Sequence, residues 1–306
     1  MVGYVIGADV GGTKTASCAV TRSGEVLERV TEPTPKTSGA AVVDVLLRQS
    51  ADLAESLGAP PCALGISATG AIDQSTGVIV AGSETIPGWV GLDLTAALRP
   101  TGIEHIAVDN DLNAYAIGEH WLGAARAPGP VLVVAVGTGV GAALLLDGQP
   151  YRGAHNMAGE IAHIPVAEAT GFICPCGRPG HVEAVASGPG VAVTYAAATG
   201  GAQPVTGKQV VELMNRGDPV ARACVQRAGR ALGSALTCVA TTIDPELVVI
   251  GGGFSAAGSV WFGSCVGVLR EELLEPLAHL DVRLGTLGPD APLLGAAKQA
   301  WSLVAE

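Results

Sequence analysis

Two stretches of the chain share one pattern. Residues 4–8 form an apolar run that ends at Asp9, turns through Gly11-Gly12-Thr13-Lys14 and returns over 15–20; a third run, 25–30, follows the Ser23-Gly24 turn. Much later, residues 131–136 run into Gly137-Thr138-Gly139, return over 141–146 and turn again at Asp147-Gly148. A repeated run, glycine turn and run predicts two copies of one α/β unit; two unrelated hairpins are the alternative. Helical spacing over 40–57 puts Val43, Leu46, Leu47, Leu53 and Leu57 on one stripe. Further helices are expected at 112–122, 191–197, 207–216, 219–243 and 294–305, and strands at 63–67, 106–108, 247–250 and 282–284. Alternation of the two periods predicts an α/β protein.

The 306 residues allow two domains, and 48% hydrophobic residues with only 15% charged rule out a disordered chain. A net charge of −11 argues against a nucleic-acid surface, which needs a basic face. The longest apolar stretches, 131–146 and 254–269, fall short of the ~20 residues that span a bilayer, and the N-terminus lacks the layout of a signal peptide. Cys18, Cys62, Cys224, Cys238 and Cys265 are scattered in apolar surroundings, as small core residues of a reducing, cytoplasmic compartment are.

Five segments carry chemistry. In the first, Asp9 precedes Gly11, Gly12, Thr13 and Lys14; free backbone N–H groups, a hydroxyl and a cation suit an anion, and Asp9 suits a magnesium ion held through water. Alone, the segment also suits a plain turn. The second, with Thr138 and Gly139, is its counterpart, and together they suit the phosphates of a nucleotide. The third is Gly251-Gly252-Gly253 after a strand, open enough for a flat ligand and equally suited to a turn. The fourth, Asp109-Asn110-Asp111, joins a strand end to a helix. That is where α/β sheets place ligands, yet Asn and Asp are also favoured helix caps. The fifth holds His163, Cys174, Cys176 and His181, two imidazoles and two thiols suited to a closed, structural zinc; a loop with two free thiols is the alternative. Glu160 and Glu183 flank it, available to vicinal hydroxyls.

In this order the segments resemble the ROK family of sugar kinases and sugar-responsive repressors, over nearly the whole chain. The most specific stretch is Gly159-Glu160-Ile161-Ala162-His163 followed by Cys174-Pro175-Cys176-Gly177-Arg178-Pro179-Gly180-His181-Val182-Glu183; Asn110-Asp111-x-Asn113 and Pro87-Gly88-Trp89 add to it. The resemblance implies a two-lobed, actin-like (ribonuclease H-like) ATPase fold with a zinc-binding loop, the small lobe being 1–109 plus 294–306 and the large lobe 110–293. It implies ATP, Mg²⁺ and a structural Zn²⁺ as cofactors, and a homodimer. It makes Asp111 the base that deprotonates a sugar hydroxyl, and Asn110, Asp111, Glu160, His163 and Glu183 the sugar-holding residues. His163 would use one ring nitrogen for zinc and the other toward the sugar.

Two positions depart from the family pattern. His181 stands where the family has a third zinc cysteine, and Thr85, after Glu84, stands where an Asn often precedes Pro-Gly-Trp. The expected reaction is ATP-dependent phosphorylation of a primary hydroxyl, hexose to hexose 6-phosphate. An N-acylhexosamine or a C7-cyclitol is the alternative acceptor, and polyphosphate an alternative donor. A first strand at Tyr4 leaves no room for a preceding DNA-binding motif, which argues against a repressor. Intact Asp9, Lys14 and Asp111 argue against a non-catalytic sugar sensor.

Overall fold

The computed structural model describes residues 3–82, 86–201 and 204–305, so Glu84 and Thr85 lie outside the described residues. The chain forms two compact units: Met1–Arg126 with Gln149–Ala158 and Pro289–Glu306, and Ala127–Gly148 with Gly159–Gly288. The first unit opens with β1 (Tyr4–Val10), β2 (Lys14–Thr21), β3 (Val26–Pro33), α1 (Gly39–Leu57), β4 (Leu64–Ala68), β5 (Ala71–Asp73), β6 (Val78–Ala81), α2 (Leu94–Ala97), β7 (Ile106–Asn110) and α3 (Asp111–Leu122). The second supplies β8 (Val131–Val136) and β9 (Val140–Leu146), and the chain returns to the first for β10 (Gln149–Tyr151). The second unit then continues with α4 (Glu183–Ala186), α5 (Gly188–Thr199), α6 (Gly207–Asn215), α7 (Pro219–Ile243), β11 (Leu247–Gly251), α8 (Ser259–Glu272) and β12 (Asp281–Leu284). Helix α9 (Ala291–Ser302) closes the first.

The two units share a plan. In the first, β1 lies between its antiparallel hairpin partner β2 and parallel β4, with β7 beyond; in the second, β8 lies between antiparallel β9 and parallel β11, with β12 beyond. The repeat read from the two glycine turns is therefore structural. Strands β1, β4, β8 and β11 are buried almost throughout, which is why they read as near-continuous apolar runs. Helix α1 begins where the Ser38 hydroxyl accepts the Ala41 N–H and ends at Gly58, whose φ of +65° reverses the chain.

Register places the chemistry. Asp9 on β1 pairs with Ser67 on β4, and Ser67 with Asp109 on β7, so three polar side chains stand abreast near the C-terminal ends of three parallel strands. Helix α9 packs against this sheet and against α3 at backbone contact. A Cβ on Gly65 would lie 1.8 Å from the Ala296 carbonyl oxygen, and one on Gly295 would lie 1.7 Å from that of Ala114. Helix α3, expected to open the large lobe, belongs to the first unit because of this seam. Gly295→Ala is expected to destabilise by at least the ~1–3 kcal/mol of an overpacked core, and thermal unfolding followed by circular dichroism checks it. Gly267→Ala in α8, where a Cβ meets nothing within 4 Å, is expected to leave the melting temperature unchanged or slightly raised.

Strands β5, β6 and β10 and helices α2, α4 and α8 go beyond the sequence expectations. Strands β5 and β6 form a hairpin, and the apolar stretch 254–269 holds a one-turn helix followed by α8. Among the described residues no helix is long and apolar enough to cross a membrane.

Candidate functional site

In the first unit, β1 runs through Asp9, and the turn after it is held by the Gly11 N–H donating to the Lys14 carbonyl at 3.0 Å. The Thr34 hydroxyl donates to the Gly11 carbonyl at 2.7 Å, and Lys36 donates to that of Gly12. These bonds use carbonyls on one side of the turn. Among the described residues, the N–H groups of Gly12 and Thr13 carry no hydrogen bond, and Gly12, Thr13 and Lys14 are exposed. Asp9 accepts the Ser67 hydroxyl on Oδ1 at 2.7 Å, while Oδ2 lies 4.0 Å from where a Gly11 side-chain carbon would sit. Burial raises the Asp9 pKa, against the lowering pull of the Ser67 bond and of Lys14. A carboxylate with one free oxygen facing a turn of unbonded amides fits a hydrated magnesium ion that accompanies a polyphosphate.

The cap question at Asp109-Asn110-Asp111 resolves residue by residue. Asn110 is the cap of α3: its Oδ1 accepts Leu112 N–H at 2.9 Å and Asn113 N–H at 3.4 Å. Its amide donates to the Gly70 carbonyl and to Asp111 Oδ1, each at 2.9 Å. Asn110 thereby holds Asp111, the first residue of the helix. Burial, then the nearby Asp9 charge, pushes the Asp111 carboxyl up to about 7, against lowering bonds from Leu112 N–H and the Asn110 amide. A carboxylate poised near neutrality is suited to accept a proton from a hydroxyl.

Asp109 is different. It is 1% exposed and accepts from its neighbour Asn110 N–H at 2.8 Å, from Asn113 Nδ2 at 2.9 Å, from Gln299 Nε2 and from Arg152, which pairs with it. It ties β7, α3, the 149–158 segment and α9 together. Sequence reasoning missed Arg152 and Gln299, since their partner lies 43 and 190 residues away with no local pattern to mark it. Trp89 of Pro-Gly-Trp is buried and donates its indole N–H to Thr69 O at 3.0 Å, packing the same unit.

In the second unit, the Gly137 N–H donates to Gly139 O at 2.8 Å and the Val140 N–H to Glu183 Oε2 at 2.9 Å. The N–H groups of Thr138 and Gly139 carry no hydrogen bond among the described residues. Gly252, with φ +86°, packs on β8, where a Cβ would meet Val136 O at 2.4 Å. Its close approach is thus to protein backbone, whereas Gly253 lines a cavity. That cavity measures about 880 Å³ and is lined by Gly137, Thr138, Gly188, Lys208, Gly253 and Phe254 among others. Its size and mostly apolar walls, with Lys208 and Glu212 as charged groups, suit a nucleoside.

The 159–183 segment is a compact knuckle. Cys174 N–H donates to Arg178 O, Gly177 N–H to Cys174 O and Gly180 N–H to Phe172 O, with Gly177 at φ +86° and Gly180 at φ +81°. It brings the ligand atoms of His163, Cys174, Cys176 and His181 within 4.8 Å of one another. Zinc bonds of about 2.0–2.3 Å at tetrahedral angles place neighbouring donors roughly 3.5 Å apart. The Cys174 Sγ to His163 Nδ1 separation is 3.8 Å and the Cys176 Sγ to His181 Nδ1 separation 3.2 Å, so the donor set fits zinc. Burial raises the Cys174 pKa, the Cys176 backbone N–H pulls it down, and the Cys176 side chain and the Glu183 charge raise it; a divalent cation would deprotonate this thiol. His163 turns Nδ1 toward the thiols and leaves Nε2 3.8 Å from Glu160 Oε2. Both side chains are exposed there, at 40% and 48%.

The family model of the ROK family matches residues 5–302. The curated glucokinase of Halalkalibacterium halodurans is 31% identical, over 95% of this chain and 93% of its own length. The kanosamine kinase of Amycolatopsis mediterranei is 33% identical, over 99% and 97%. The crystal structure of a ROK family glucokinase from Streptomyces griseus in complex with glucose and AMPPNP superposes with a TM-score of 0.82 at 30% identity, covering 98% of this chain and 100% of that one. The match runs from the first strand, through both glycine turns and the knuckle, to the last helix, and this chain belongs to the ROK family.

Proposed function

We propose that the protein is an ATP-dependent kinase that phosphorylates a primary hydroxyl of a hexose, in the manner of a glucokinase. The observation that carries this reading is the Asp111 carboxyl, fixed at the start of α3 by Asn110 and raised to about 7. The hydroxyl oxygen attacks the terminal phosphorus of ATP, its proton passes to Asp111, and ADP leaves with the electrons of the broken P–O bond. In the first unit the 11–14 turn offers amide N–H groups and the Lys14 charge to an anion; in the second the 137–139 turn offers amide N–H groups beside the cavity, which takes the nucleoside. Asp9 would hold the hydrated Mg²⁺ that accompanies the nucleotide, and the ion would supply charge neutralisation at the phosphates. Glu160 and His163 grip ring hydroxyls, with Glu183 beside them. His163, Cys174, Cys176 and His181 would hold a structural zinc that would stiffen the knuckle; His163 has Nδ1 toward the thiols, which leaves Nε2 to a sugar hydroxyl.

A second reading is favoured by the kanosamine kinase relative: an amino hexose as acceptor. A panel of glucose, mannose, their N-acetyl amines, kanosamine and a cyclitol, assayed for ADP release, separates the two. Glucose is expected to give the highest kcat/KM. Preference for an amino sugar moves the substrate to the second reading, turnover with polyphosphate alone corrects the donor, and no acceptor-dependent ADP release overturns the kinase.

A further inference from the structure

Glu183 is expected to meet the sugar, yet the bond it makes in the structure is to the other substrate's turn. Its Oε2 accepts the Val140 N–H at 2.9 Å, and a Cβ on Gly139 would lie 2.8 Å from that same oxygen. The segment is tied again four residues on: Ser187 accepts the Gly190 N–H on its hydroxyl, and the Gly188 N–H donates to Gly137 O at 2.8 Å. Residues 183–188 thus lie along the 137–140 turn and are bonded to it at both ends. Thr138 and Gly188 both line the cavity. On its other side Glu183 is separated from His181 of the metal knuckle only by the fully buried Val182, whose N–H donates to Ile164 O at 2.9 Å. The backbone that carries the carboxylate is therefore held on both sides.

We propose that Glu183 is a positioning residue for the nucleotide: its carboxylate clamps the Val140 amide, sets the turn whose Thr138 and Gly139 N–H groups receive phosphate, and links sugar occupancy to nucleotide affinity through its second oxygen. Oε1 carries no hydrogen bond among the described residues and is the atom left to a sugar hydroxyl. A sugar bond on Oε1 restrains the carboxylate and with it the turn, so each ligand lowers the ordering cost of the other. The inference rests on the kinase reading above and deepens it.

The test is equilibrium binding of AMPPNP by calorimetry, with and without the preferred sugar, to wild type, Glu183→Ala and Glu183→Gln. Gln keeps an oxygen that accepts from Val140; Ala does not. Loss of a charge-assisted bond is expected to weaken AMPPNP about tenfold in Glu183→Ala without sugar, and Glu183→Gln is expected to stay within about threefold of wild type. Sugar is expected to tighten AMPPNP in wild type and not in Glu183→Ala. A residue that serves the sugar alone leaves sugar-free AMPPNP affinity unchanged in both variants, and that result overturns the proposal. So does equal loss in Gln and Ala. If wild type itself fails to bind AMPPNP, the kinase reading fails instead.

Discussion

Asp111→Asn is expected to lower kcat by about 10²–10⁴-fold, the range for losing a general base, while sugar affinity stays within a few-fold of wild type. The amide keeps the planar shape of the carboxylate beside Asn110 but cannot take the hydroxyl proton. In wild type, kcat/KM is expected to climb with pH and level off above about 7, where the Asp111 carboxyl loses its proton. The same shift acts on stability with a definite sign. The folded carboxyl titrates well above its unfolded value of about 3.9, so the folded chain binds more protons through that window and the charged side chain destabilises the fold. Below about pH 4 the penalty is absent; above pH 7 it is complete. The Asn variant is therefore expected to melt higher than wild type at pH 8 and together with it near pH 4. Near-normal turnover in the variant removes Asp111 from the chemistry.

The second large effect concerns the knuckle. Wild type is expected to carry about one zinc per chain by elemental analysis, and Cys176→Ser to lose it. Without metal, the 172–182 loop keeps only its short backbone bonds and the Cys174–His163 and Cys176–His181 contacts, which are expected to be too little to hold it closed. Limited proteolysis is expected to cut the variant within 159–183, and its sugar KM to rise tenfold or more, because His163 no longer presents Nε2 at a fixed angle. Metal-free wild type with freely titratable Cys174 and Cys176 and an unchanged sugar KM would falsify the assignment.

Much of this was legible in the sequence because it is local. The two glycine turns, the capped start of α3 and the knuckle are each written within about twenty residues, and turn chemistry and ligand spacing act at that range. The family resemblance then gave their order a meaning. What the sequence hid was long-range. The Arg152 and Gln299 bonds to Asp109 and the Glu183 bond to Val140 join residues with no shared period. Asp109 and Asp111 look alike in the chain; only register, which sets Asp109 abreast of Ser67, and the helix start at Asp111 show that one is a fastener and the other a titrating group. Helix α8 was hidden for another reason: its apolar and small residues give no sharp polar face for a period to reveal.

Helix α9 touches β1, β4 and α3 at glycine contacts, and it follows every other helix among the described residues. During synthesis, Asp9 and Asp111 leave the ribosome well before the helix that backs their sheet, whereas Ala127–Gly148 and Gly159–Gly288 are both made before α9. On the proposed reading, the elements that line the cavity precede in the chain the helix that backs Asp111. On that reading, a chain ended near residue 290 is expected to keep the cavity-lining residues and to lose the helix packed on α3, where Asp111 sits.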